Sequence, residues 1–210
     1  MYKKFENLTD EKRNRIIGIC LEEFAQHGYK NASTNSIVTK AGISKGILFH
    51  YFGNKKNLYL YLLDYAIGCT MKAMLDKMAD LPDDIFERIF SMGMLKLKVG
   101  YQYPMHYKFL LEAFTHIPAG LEKELNDRYE KIYKSSMPLF MKDIDTSKFR
   151  EGMNKEKAIE LIELALEAVS NKYIKKFKDK SSEEVMSQLE NVTDEYKDYI
   201  DILKFGVYGS

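Results

Sequence analysis

Proline is scarce in this chain: four occur, and none precedes Pro82. The strongest breaker of helix interiors is therefore missing from the first third, which stays open to uninterrupted helices. Cysteine is scarcer. Cys20 and Cys69 stand alone, in neither a CxxC nor a Cys/His ligand spacing, and His27, His50, His106 and His116 supply no metal pattern either. Cys20 falls on the apolar face of an expected helix, so a buried free thiol is the reading for it. Long apolar runs are also missing. The stretch IIGICL at residues 16–21 is far below the ~20 residues of a bilayer span, and the opening MYKKFEN lacks the apolar stretch of a signal peptide. A soluble, cytoplasmic protein with no membrane partner is expected. Catalytic signatures are absent too: there is no GxSxG, P-loop or Rossmann fingerprint. Glu160, Glu163 and Glu167 share one side of a helical stretch, but Lys155, Lys157 and Lys172 lie nearby, and no Glu-x-x-His pair accompanies them. That is a solvated face. No enzyme, metal or cofactor is expected.

What is present suffices for a folded core. The 210 residues are 45% hydrophobic, enough for one large domain or two small ones. The net charge of +1 hides an asymmetry. Residues 1–60 carry ten Lys/Arg against five Asp/Glu, while residues 61–210 carry 22 against 26. A basic end joined to an acidic body suits contact with nucleic acid.

The hydrophobic spacing is helical throughout. A first helix is expected over 10–27, with Thr9 as N-cap and Ile16, Ile17, Cys20, Leu21 and Phe24 on one face, stopped by Gly28. Ser33 or Thr34 caps a second helix whose inner face is Ile37, Val38 and Ala41; Gly42 is the turn and Ile43 a plug. Ser44 caps a brief third helix over 45–52, in which Leu48 and Phe52 stand four residues apart and both point inward. Further helices are expected over 55–79, 83–99, 105–115, 118–141, 154–178 and 182–205, the last with a possible interruption near Val192 and Thr193. A break falls at 101–104 and a polar loop at 143–152. No alternating strand pattern occurs. The fold class is all-α, with about nine helices.

Residues 34–56, TNSIVTKAGISKGILFHYFGNKK, have the layout of a helix-turn-helix DNA reader. Gly46 inside a short helix costs about 1 kcal/mol relative to Ala. Either the backbone must approach a groove closely there, or a neighbouring helix packs tightly against it. Lys45 opposes the helix dipole in the first turn, which a phosphate or a guanine edge would justify, a solvated lysine being the alternative. With Leu48 inward, Ile47 is exposed and able to touch a thymine methyl. Ser33 or Thr34 presents a hydroxyl and a helix N-terminus to a phosphate, or simply caps the helix.

The series Phe24, Gly28, Tyr29, Ser33-Thr34, Ile37, Ala41 to Ser44, Lys45 to Phe52, Asn54 and Lys55 resembles, in register, the DNA-binding domain of the tetracycline-repressor (TetR) family of bacterial regulators. It covers about a quarter of the chain. The resemblance implies an N-terminal three-helix helix-turn-helix domain over 1–55 and a larger helical effector-binding and dimerisation domain over 56–210. It implies phosphate contacts from His50, Tyr51 and Lys55, the lesser alternative for Tyr51 being to fill the seam between helices. Phe49 departs from the family's frequent Tyr and keeps only an apolar contact. Base reading would then fall to Lys45, Gly46, Ile47 and Phe49.

The resemblance also implies partners: double-stranded operator DNA with palindromic symmetry, a second copy of the chain, and a small apolar or aromatic effector whose binding releases a repressor. The apolar stripe over 158–169 and the last helix, with Val192, Tyr196, Tyr199, Ile200 and Leu203, resemble the family's dimer bundle. Residues 71–141 are rich in methionine and aromatics, including Met71, Met94, Tyr101, Tyr103, Phe109, Phe114 and Tyr133. Such a composition suits an apolar pocket, but by itself it favours a filled core; the resemblance favours the pocket. The alternatives are a helical protein-interaction module, in which the exposed Lys45-Gly46-Ile47 has little purpose, and a regulator or activator without an effector.

Overall fold

Three glycines set the geometry of the N-terminal region by adopting left-handed backbone at helix ends, where a side chain would be strained: Gly28 (φ 65°), Gly42 (φ 62°) and Gly53 (φ 78°). The computed structural model describes residues 2–177, 180 and 182–207, and the elements there are α1 (Lys3–Glu6), α2 (Asp10–Asn31), α3 (Thr34–Ala41), α4 (Lys45–Phe52), α5 (Lys55–Met78), α6 (Ile85–Gln102), α7 (Pro104–Thr115), α8 (Glu122–Phe140), α9 (Lys155–Phe177) and α10 (Ser182–Val207). Among the described residues there are no strands; one isolated bridge pairs Asp84 with Asp145. The fold is all-α.

The sequence expectations are met to within a few residues, with four corrections. The short α1 was not foreseen, because four residues carry no periodicity. Thr9 occupies the N-cap position of α2, but its hydroxyl makes no capping bond. The break expected at 101–104 narrows to Tyr103, because Pro104 takes the first turn of α7, where its missing N–H costs nothing. Finally, α10 runs unbroken through Val192 and Thr193. The expected end of α9 near Lys178 and the last three residues of the GVYGS tail lie outside the described residues.

The chain divides into two compact units: Met1–Ala73 with Gly100–Asn126, and Met74–Val99 with Asp127–Ser210. In the first, α2 supplies Ile16, Cys20 and Phe24, which pack with Ile37 and Ala41 of α3, Leu48 and Phe52 of α4, and Leu58, Tyr59 and Leu62 of α5. Phe109 and Ala113 of α7, together with Leu121 and Leu125, close the same cluster. Phe109 is fully buried, its ring 5.3 Å from Tyr59 and 6.3 Å from Phe24. Full burial of a side chain of this size contributes about 1.5–3 kcal/mol. Cys20 sits inside this core as a free thiol; burial first, and then the Glu23 carboxylate, push its pKa up to about 12.

In the second unit Asp84 caps α6, its Oδ1 accepting from the N–H groups of Phe86 (3.0 Å) and Glu87 (3.2 Å), while its Oδ2 accepts from Lys148 Nζ at 2.9 Å. Buried Arg88 donates to the carbonyls of Phe140 (2.9 Å) and Lys142 (2.5 Å), tying the end of α8 to α6. A smaller core of Ile85, Phe86, Ile89, Phe149, Ala158, Ile162 and Ile200 joins α6, α9 and α10.

Candidate nucleic-acid interface

Helix α4 is anchored by two residues and displays the rest. Leu48 and Phe52 are 0% and 1% exposed, whereas Ile47 is 41% exposed and Lys45, Gly46 and His50 are exposed beside it. The helix begins where Ser44 Oγ accepts from the Ile47 N–H at 3.2 Å. The left-handed turn at Gly42 precedes it, closed by the Ile43 N–H on the Val38 carbonyl at 3.1 Å. A Cβ added at Gly46 would meet only Ser44 Oγ, at an ordinary 3.8 Å. Tight helix packing therefore does not explain this glycine.

The other expected contact residues fall into two groups. Ser33 caps α3 with its hydroxyl on the Ser36 N–H (3.3 Å), and Thr34 is the first residue of that helix, half-buried. Lys45 Nζ lies 6.0 Å from the centre of the half-buried Phe49 ring. Tyr51 is half-buried in the seam, its ring 5.5 Å from Phe5. Lys55 is turned to the protein itself. Its ammonium donates to the carbonyls of Ala32 (2.6 Å) and Lys30 (3.2 Å) and lies 5.3 Å from the Tyr29 ring centre. Burial lowers its pKa, an effect the Glu23 charge opposes. It staples the end of α2 to the start of α5.

Sequence reasoning missed the group that holds α3 in place. Glu23 is 2% exposed on α2, and its carboxylate accepts from the Ser36 hydroxyl (2.6 Å) and the Ser33 N–H (2.9 Å), with Lys40 Nζ at 3.6 Å. Burial works to raise its pKa; the Ser36 and Ser33 bonds, with His27 and Lys40 nearby, outweigh burial and hold it below the ordinary 4.5. One of two adjacent Glu residues before Phe24 gives little warning of this, because its partners lie 10 to 17 residues further on.

The seven residues expected around an effector are not brought together within one unit. Phe109 is committed to the first unit's core, Tyr101 is 67% exposed, and Met94 and Tyr133 belong to the second unit. The second unit carries instead an open groove of about 430 Å³, floored by Phe86, Phe90 and Ile200 and rimmed by Lys197 and Asp201. Among the described residues no group of three or more His, Cys, Asp or Glu side chains is placed to hold a metal, and no helix is long and apolar enough to cross a membrane.

Two short helices, a left-handed glycine turn and an outward second helix on a buried base define a helix-turn-helix DNA-binding unit. Residues 17–62 match the family model of bacterial regulatory proteins, tetR family. The chain is 26% identical over 149 residues to the HTH-type transcriptional regulator YerO of Bacillus subtilis (strain 168), a stretch covering 70% of this chain and 50% of that protein. It is thus similar to about half the length of that relative. It is 25% identical over 131 residues to the HTH-type transcriptional regulator QacR of Staphylococcus aureus, covering 58% and 69% of the two chains. Its fold is similar to that of a TetR family transcriptional regulator from Chloroflexus aurantiacus J-10-FL, with a TM-score of 0.59, 24% identity and coverage of 99% and 98%. Residues 17–62 thus carry a DNA-binding domain of the tetR type, and the chain is similar to HTH-type transcriptional regulators.

Proposed function

We propose that the protein is a homodimeric repressor of a palindromic operator, released by a small apolar or aromatic effector. Residues 1–55 read DNA and residues 56–210 bind the effector and the second copy. The observation that carries the reading is the split within α4: Leu48 and Phe52 are sealed in the core, while Lys45, Gly46 and Ile47 face outward. Lys45, Gly46, Ile47 and Phe49 then contact bases, and Ser33, Thr34, His50 and Tyr51 position the helix on phosphates. Lys55 contributes chiefly by holding α2 and α5 together, with its carbonyl bonds as the support for that role.

Dimerisation is supported by apolar side chains that the second unit leaves in solvent. Leu161 and Leu164 on α9 and Ile202 and Phe205 on α10 are 56% to 87% exposed. The remainder of the expected stripe, Ala158, Ile162 and Ile200, belongs to the unit's own core. Two copies related by a two-fold axis would set their reading helices about one DNA turn, ~34–36 Å, apart or somewhat more. For the effector, the groove over Phe86 and Phe90 has the volume of small-ligand sites, which run from about 300 to 1,000 Å³. Binding there shifts the population toward a state whose reading helices no longer match the operator spacing.

The test is fluorescence anisotropy with DNA tiled from upstream of the gene, against nonspecific competitor and across a salt series. One palindromic tile bound tightly, at two chains or a multiple of two, is the expected result. Binding that competitor abolishes for every tile, followed by an empty genome-wide binding selection, would sink it.

A further inference from the structure

We propose that Lys4, outside the matched helix-turn-helix region, is a DNA-backbone contact that shares one phosphate with His50. The inference rests on the DNA-reading role proposed above and extends its surface. Lys4 Nζ lies 3.1 Å from His50 Nε2, and both side chains are exposed at the outer end of α4. An ammonium has only donors to offer, so in the free protein the imidazole nitrogen accepts from it. Two basic groups thus converge within one hydrogen-bond length on a surface where an anion satisfies both. A phosphate oxygen inserted there accepts from Lys4 Nζ and from His50 in its Nε2–H tautomer together, replacing a contact between two nitrogens with one anion between two donors.

The position of Lys4 is not that of a loose tail. The adjacent Phe5 is 0% exposed, its ring 4.7 Å from Phe52 and 5.5 Å from both Tyr51 and Tyr61. The Tyr2 ring is 4.8 Å from Tyr61 and 5.8 Å from Phe52, and its hydroxyl donates to the Asn57 carbonyl at 3.3 Å. These rings wedge α1 against the end of α4, so the ordering entropy of Lys4's backbone is settled before DNA arrives. A lysine held in this way adds affinity without reading sequence.

The experiment measures the salt dependence of binding to a duplex of arbitrary sequence for wild type, Lys4→Gln, Lys4→Arg and the double variant Lys4→Gln with His50→Gln. Each lost phosphate contact lowers the slope of log K against log salt by about 0.9. Lys4→Gln is expected to lower it by about one unit per bound chain and Lys4→Arg to restore it. His50→Gln added to Lys4→Gln is expected to lower it little further, because a neutral imidazole adds a hydrogen bond to the phosphate but no charge. An unchanged slope in Lys4→Gln beside a steep wild-type slope overturns the Lys4 contact and leaves the DNA-reading role standing. A wild type without salt-dependent duplex binding removes both. Thermal melts of the four proteins are expected to coincide, since neither side chain is buried; a lower melt with an unchanged slope would make Lys4 a structural residue and also overturn the inference.

Discussion

The two units of this protein meet the same problem, burying apolar surface on helices, with different success. The first closes the larger core, with Tyr101 and Ile117 left exposed outside its reading helix. One cluster runs from Phe5 through α2, α3, α4 and α5 to Phe109 and Leu125, and the exposed apolar residue in its reading helix, Ile47, is the one assigned to DNA. The second closes a smaller core and leaves Leu161, Leu164, Ile202 and Phe205 in water. A soluble protein rarely leaves large apolar patches uncovered without a partner for them. The difference supports the roles proposed for them, a platform that presents α4 to DNA and a surface that a second copy covers.

The comparison breaks most sharply at the exposed apolar residues. Leu161→Glu combined with Ile202→Glu places charges where the second copy is proposed to sit, at a cost of several kcal/mol per buried charge. Sedimentation is expected to show monomers with an unchanged helical spectrum. Dimers that persist would refute the interface. Phe109→Ala tests the opposite unit: it is expected to cost about 3–5 kcal/mol in chemical denaturation. Full stability with weakened ligand binding would return Phe109 to a pocket.

Glu23→Gln should cost about 1–3 kcal/mol, because it weakens the acceptor that the Ser33 and Ser36 donors face. The effect has a sign in pH. A carboxyl held below its unfolded value of 4.5 stabilises the fold fully above that pH and loses the contribution as pH falls through the lower folded value. Wild type is thus expected to converge on Glu23→Gln in acid, and parallel stability curves down to acid pH would exclude the depressed carboxyl. Gly46→Ala sharpens the contrast with the smallest energy. With nothing near its Cβ except Ser44 Oγ, alanine is expected to stabilise the fold by up to about 1 kcal/mol while weakening DNA binding. DNA binding that survives intact would leave Gly46 without a role at the groove.

Most of the helices were legible because their signals are local. Ser33 and Ser44 as caps, Gly42 as turn, and Leu48 with Phe52 as anchors follow from hydrogen-bonding chemistry and spacing within one or two turns. The α1 segment was not legible, because Tyr2 and Phe5 act only through rings far along the chain, in Phe52 and Tyr61. Nor was the place of α7. Its methionine-rich and aromatic surroundings suited a core by composition and a pocket by resemblance, and only packing against α2 assigned Phe109 to the core.

By itself the sequence determined the all-α class, the helix-turn-helix and its outward face, since helix periodicity, caps and turn glycines depend on neighbours in the chain. Tertiary structure alone decided that Glu23 holds α3, that Lys55 is turned to the carbonyls of Lys30 and Ala32, and that Lys4 meets His50. Each of those contacts joins residues 10 to 46 positions apart. A polar side chain's partner is fixed by where the folded backbone delivers it, and nothing in its own neighbourhood announces that place.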